Sequence, residues 1–147
     1  MNQSRFRDKG ETLYDFLLKK DILMECPYCF RCAKGVRISE ERYQYKLICT
    51  QCGLITNPNI VSWGKGSFRG LKLWLRTNCC GNVLWAYNKE HLSFLDGYIN
   101  SSLREQMPNK NQSLASRLPD WIKSSKNRLE LSKGIAKLEN KLKQCET

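Results

Sequence analysis

Four cysteines in two C-x2-C pairs, Cys26-Pro-Tyr-Cys29 and Cys49-Thr-Gln-Cys52-Gly53, carry the strongest chemical signal in this chain. Two thiolates three positions apart on a tight turn can grip one ion at about 2.3 Å, and two such turns complete a tetrahedron. Nineteen residues separate the pairs, within the spacing of a four-cysteine zinc site. Soft sulfur donors in that geometry favour Zn2+ over other metals. Gly53 fits the pattern, because a glycine there accepts a positive φ and lets backbone N–H groups approach the sulfurs. A shell of four thiolates is closed to water and substrate, so the ion is expected to hold the fold together and perform no catalysis. Cys32 leaves alternatives open. It could replace Cys29, or extend "CPYCFRC" into part of an iron–sulfur pattern, although the C-x3-C-P continuation of that pattern is missing.

A second group, Cys79, Cys80 and the chain's single histidine His91, lies within "TNCCGNVLWAYNKEH". Three readings compete. A second metal site would need further ligands, and only the distant Cys32 and Cys145 remain. A catalytic Cys–His pair would need an exposed thiolate with a depressed pKa. The third reading makes "CCGN" the connection of a hairpin, with one sulfur in the core as a small apolar group and His91 in the first turn of a helix. The flanking apolar stretches "LWLRT" and "VLWAY" favour the third. A disulfide between adjacent cysteines would be strained and is not expected.

The elements that must position these groups follow from periodicity. "ETLYDFLLKKDIL" places Leu13, Phe16, Leu17 and Lys20 at helical spacing, predicting an amphipathic helix within residues 1–24. Residues 25–56 form the ribbon, with "RYQYKLI" alternating Tyr43, Tyr45 and Leu47 against Gln44 and Lys46 as a strand between the knuckles. Residues 57–87 begin as a long loop rich in turn formers. "LKLWLRT" then alternates as a half-buried strand, "CCGN" turns at Gly81 and Asn82, and "VLWAY" returns antiparallel. Residues 88–147 are helical. Asn88 caps a helix carrying Leu92, Leu95, Ile99 and Leu103 on one stripe, ended by Pro108. After a polar linker a further helix is expected, with a break or restart at Pro119. Its seam of Leu131, Ile135, Leu138, Leu142 and Cys145 is short, which favours packing within the chain over a coiled-coil dimer. Cys145, at the end of that seam, is expected to contribute little. The fold class is thus α+β: a four-cysteine zinc ribbon with short antiparallel strands, followed by a helical C-terminal region.

The net charge is +11, from 25 Lys plus Arg against 14 Asp plus Glu. From Asn57 to Asn88 there is no acidic residue, while Lys65, Arg69, Lys72 and Arg76 lie there. From Arg104 onward ten basic residues, among them Lys123, Lys126, Lys133, Lys137 and Lys141, face five acidic ones. Such surfaces attract phosphates without reading sequence. Trp63, Phe68 and Trp74, interleaved with these charges, are candidates for stacking on unpaired bases or for the core. "GKGS" lacks the spacing of a phosphate-binding loop, so nucleotide hydrolysis has no support. There is no apolar run long enough to span a bilayer. "MNQSRFRDKGETLYDF" has no signal-peptide pattern, which predicts a cytoplasmic location and reduced thiols.

The two knuckles resemble the transcription factor IIB-type zinc ribbon over about residues 24–56. Ribbons of that type bind nucleic acid, polymerases or other proteins. The resemblance therefore implies Cys26, Cys29, Cys49 and Cys52 as metal ligands and no reaction. The stretch from Leu73 to Arg128 is similar to a C-terminal block in small prokaryotic ribbon proteins of uncharacterised function. The leading expectation is a non-enzymatic protein that binds nucleic acid, DNA or RNA, through its basic surfaces. The alternatives are an adaptor subunit in a nucleic-acid-processing complex and a Cys/His-dependent enzyme.

Overall fold

The computed structural model describes residues 5–7, 20–38, 44–58, 66–101, 103–105 and 118–145. Its centre is a four-stranded antiparallel sheet in the order β2 (Ile22–Glu25), β3 (Cys32–Arg37), β4 (Tyr45–Ile48) and β5 (Ile55–Thr56). A short strand β1 (Arg5–Arg7) precedes it. Within residues 1–24, where an N-terminal helix was expected, positions 11–19 lie outside the described residues, while Lys20 and Asp21 are not helical and Arg5–Arg7 and Ile22–Met24 are strand. Isoleucine and leucine there are buried on both sides, which favours a central strand over an amphipathic turn.

β2 faces two cores at once. Side chains alternate across a strand, so Ile22 and Met24 enter a cluster with Tyr45, Leu47, Phe68 and Tyr87. Leu23, pointing the other way, joins Leu75, Leu84 and the helices. The expected alternation of "RYQYKLI" holds in β4, where Tyr45 and Leu47 are buried and Lys46 and Ile48 are half-buried; Tyr43 lies outside the described residues. Gly35 in β3 faces Ile22 across the ladder and leaves room for the Met24 thioether.

The segment 66–86 makes two hairpins where a loop and one hairpin were expected. β6 (Ser67–Phe68) pairs with β7 (Leu71–Lys72), and β8 (Leu75–Cys79) with β9 (Asn82–Ala86). Leu73 and Trp74 interrupt "LKLWLRT", because Leu73 bridges to Met24 and the Trp74 N–H donates to the Leu23 carbonyl at 3.0 Å. Contacts with β2 thus override continuous pairing. Both hairpins close through two residues with positive φ, Arg69 (50°) with Gly70 (84°) and Cys80 (55°) with Gly81 (74°). That is the type I′ turn whose twist matches the strands. The second turn is therefore at Cys80-Gly81, one residue before the expected position, because Cys79 and Asn82 are already paired.

Helix α1 (Lys89–Ile99) starts as expected: the Asn88 side chain accepts from the His91 N–H, and Glu90 lies in the first turn. It ends well before Pro108. Asn100 binds the Asp96 carboxylate and the Ser101 hydroxyl donates to the Tyr98 carbonyl, local bonds that compete with another helical turn. Leu103 consequently belongs to β10 (Leu103–Glu105), paired in parallel with β1. Beyond Pro119, helix α2 (Asp120–Lys123), a 3-10 turn (Ser125–Asn127) and helix α3 (Arg128–Cys145) follow. The expected restart at Pro119 is present, and extended backbone at Ser124 adds a second break.

The seam of α3 packs within the chain. Leu131, Ile135 and Leu138 are fully buried against the β8–β9 hairpin and α1, with Leu142 and Cys145 at the edge of the same cluster. Each such aliphatic side chain contributes about 1.5–3 kcal/mol by leaving water. Gly134 lets the helix approach closely, since a Cβ there would meet Leu84 Cδ2 at 2.8 Å and Cys79 Sγ at 3.4 Å. Among the described residues no helix is long and apolar enough to cross a membrane.

Candidate metal centre

The two C-x2-C turns converge from the ends of the sheet. The Cys26 N–H donates to the Arg31 carbonyl at 2.8 Å and the Phe30 N–H to the Cys26 carbonyl at 2.9 Å. In the second turn the Cys49 N–H donates to Leu54 at 2.9 Å and the Gly53 N–H to Cys49 at 2.9 Å. The knuckles are therefore pseudo-equivalent, position for position. Phe30 occupies the place of Gly53, and both backbones are left-handed, with φ of 64° and 80°.

This geometry gathers Cys26, Cys29, Cys49 and Cys52, all four sulfurs lying within 4.8 Å of one another. Cys26 Sγ is 3.7 Å from Cys52 Sγ, and Cys29 Sγ is 3.5 Å from Cys49 Sγ. Four sulfurs held about 2.3 Å from one ion in a tetrahedron stand about 3.8 Å apart, so the set fits a single metal ion. The thiols do not share one acidity. Burial raises Cys49, but N–H groups of Cys52 and Gln51 outweigh it and bring the thiol down to about 7. At Cys52 an N–H of Leu54 favours the thiolate, yet desolvation and the three neighbouring sulfurs push it up to about 12. One thiolate forms readily, and a full set requires a cation to offset their mutual repulsion.

Cys32 is not part of this set. Its sulfur is bonded to that of Cys145, with Cα atoms 5.5 Å apart and 113 residues between them in the chain. The expectation of reduced thiols throughout is therefore corrected for this pair, as is the minor role given to Cys145. Neither cysteine has a local partner in sequence; only the return of α3 across the ribbon brings them together.

The Cys79, Cys80 and His91 group is divided between the two ends of a hairpin. Cys79 and Cys80 are at its tip, their sulfurs 3.5 Å apart and unbonded. Cys79 is buried and donates to the Glu130 carbonyl at 3.4 Å; burial, helped by Cys80, pushes its thiol up to about 12. His91 lies beyond the open end, where its Nδ1 accepts from the Tyr87 N–H at 3.0 Å and its ring meets Trp85 and Tyr87 at 5.5 Å. Complete burial pushes its pKa down to about 3, leaving a neutral imidazole. The arrangement makes Cys79 a core thiol and His91 a structural acceptor.

The predicted cationic residues have unequal roles. Lys65 lies outside the described residues, as does Trp63. Arg69 is half-buried, its guanidinium 5.3 Å from the Tyr45 ring and 5.6 Å from that of Phe68, which itself is buried. Arg76 donates to the Gly66 carbonyl at 3.3 Å. Lys72, Lys126, Lys133 and Lys137 are exposed and Lys123 is half-buried; Lys133 is 3.9 Å from Glu130. The absence of acidic residues from the sequence around Lys72 and Arg76 does not carry over to space, because Glu25 lines the same shallow groove with Lys72, Arg76 and Lys141.

Phe68 is buried, and Trp74 is half-buried with its ring engaged from within the chain. Trp74 donates from Nε1 to the Lys141 carbonyl at 2.7 Å and is covered by the Lys141 ammonium at 5.0 Å. Among the described residues the exposed rings are Tyr28 (76%) and Phe30 (66%), on the first knuckle. Aligning the two knuckles would have signalled Phe30, an aromatic where its counterpart is glycine. No family model, curated protein or solved structure matches the chain.

Proposed function

We propose that the chain is a non-enzymatic zinc-ribbon protein that binds nucleic acid, DNA or RNA, through a basic strip running from α3 onto the β7–β8 segment. Zn2+ held by Cys26, Cys29, Cys49 and Cys52 supplies the structural cross-link between knuckles, its closed sulfur shell leaving the ion no substrate position.

The observation that carries this reading is the contact of the Lys141 ammonium with the Arg76 carbonyl at 3.2 Å, across 65 residues of sequence. Lys133, Lys137 and Lys141 are spaced by four along α3, a row that turns by about 40° per step and so moves inward toward its C-terminal end. Lys141 ends the row at Arg76, beside Lys72. Two basic groups that are separate in sequence thereby become one strip. Burial lowers the Lys141 pKa, with Glu25 opposing that shift and Arg76 adding to it. Lys141 therefore serves mainly as the joint, and Lys72, Lys133 and Lys137 as the solvent-facing contacts.

The test is retardation of nucleic acid by the metal-loaded chain as salt is varied. Lys72→Glu and Lys137→Glu should each weaken binding to all sequences alike and reduce the log-affinity versus log-salt slope by about one, and by about two together. Unchanged affinity in a folded double variant would reject the strip. A copurifying protein together with negligible affinity for nucleic acid would favour the adaptor reading instead.

A further inference from the structure

We infer that the first knuckle is a stacking platform for unpaired bases, so that the nucleic acid bound is single-stranded; this rests on the nucleic-acid reading above and names the form of the ligand. Phe30 holds a left-handed backbone at φ 64° where the equivalent residue of the other knuckle is Gly53 at 80°. A side chain there is disfavoured sterically. It receives no burial in return, since 66% of Phe30 and 76% of Tyr28 remain exposed. The fold therefore does not require an aromatic ring at this position, whereas a ligand presenting flat apolar faces would use it.

Charge selects the class of ligand. Between Cys26 and Lys89 the only acidic residues are Glu40 and Glu41, against ten Lys and Arg counting Lys89. Arg31, next to Phe30, is exposed and reaches Gln51 of the second knuckle at 3.4 Å. An open cleft of about 320 Å³ beside it is lined by Arg31, Lys34, Thr50, Gln51 and Trp74. Trp74 is the ring that Lys141 covers, so the cleft continues into the basic strip. A duplex hides its base faces by stacking and offers only edges, while an unpaired strand can place bases on Tyr28 and Phe30 and its backbone along the cleft.

The test uses the full metal-loaded chain with fluorescein-labelled oligothymidine and a duplex of the same length. Tyr28→Ala and Phe30→Gly should each weaken oligothymidine binding about 10-fold and leave duplex binding unchanged. Phe30→Gly should not lower the thermal midpoint, because glycine relieves the backbone, and Phe30→Trp should retain affinity. Equal oligothymidine binding by wild type and both variants would overturn the inference while leaving the basic strip intact. Equal losses for single strand and duplex would overturn it too, as would a lower midpoint in Phe30→Gly with unaltered binding in Tyr28→Ala. No binding of either probe by the wild type would reject the nucleic-acid reading itself, and this inference with it.

Discussion

Cys32, the first residue of β3, is joined through its sulfur to Cys145, the last residue of α3. The bond fastens the C-terminal helix to the ribbon beside Trp74, whose indole N–H already holds the last turn of that helix through the Lys141 carbonyl. The helix is therefore secured at both ends of its buried face: by Leu131 in the hairpin core and by the sulfur bridge at its terminus.

Cys145→Ala should accordingly be destabilising. Closing a loop of this length restricts the unfolded chain by roughly 4–5 kcal/mol in the chain-entropy model, an upper bound because bound metal already restricts part of the same chain. Urea unfolding of the oxidised protein should show a lower midpoint for the variant. Reductant should bring the wild type down to the same value and leave the variant where it is. A variant matching the oxidised wild type would show that the bridge contributes nothing to stability.

Metal analysis should find one zinc per chain. Cys49→Ser should lose most of the metal, because only three of the four sulfurs remain. Cys32→Ser should retain it, since Cys32 is bonded elsewhere. Iron, two zincs per chain, or loss of metal in Cys32→Ser would contradict the ligand set. Chelation should unfold the knuckles, visible as loss of protection of the Phe30 and Gly53 amides from hydrogen exchange.

The buried imidazole sets a pH dependence. His91 titrates at about 3 in the folded chain and at about 6.5 when unfolded. Between these values the unfolded state binds a proton that the folded state does not, so stability is full above pH 6.5 and declines as pH falls. Between pH 7 and pH 5 the wild type should lose about 2 kcal/mol more than His91→Gln, which retains an acceptor for the Tyr87 N–H but does not titrate. Protonation of the metal ligands affects both proteins alike and cancels in the difference. Identical losses in the two would show that His91 is not the residue responsible.

The features readable from sequence alone are those set by neighbours a few residues apart. The C-x2-C spacing brings each pair of sulfurs into one turn, and the alternation around Tyr45 and Leu47 marks β4. Asn88 with Glu90 signals the start of α1, and the four-three spacing from Leu131 to Leu142 the buried stripe of α3. Each rests on local backbone geometry, which acts wherever the segment lies. Tertiary contacts decided the rest. The interruption at Leu73 and Trp74 depends on β2, the end of α1 before Leu103 on bonds made by Asn100 and Ser101 and on pairing with β1, and the Cys32–Cys145 bridge on the path of α3. Charge followed the same division: a run free of acidic residues was legible around Lys72, but Glu25 reaches that groove from another strand. Side-chain exposure belongs to the folded surface, so Phe68 became core and Trp74 half-buried, while Tyr28 and Phe30 took solvent-facing positions. Local preferences act along the chain, whereas burial and long-range pairing depend on which distant segments meet.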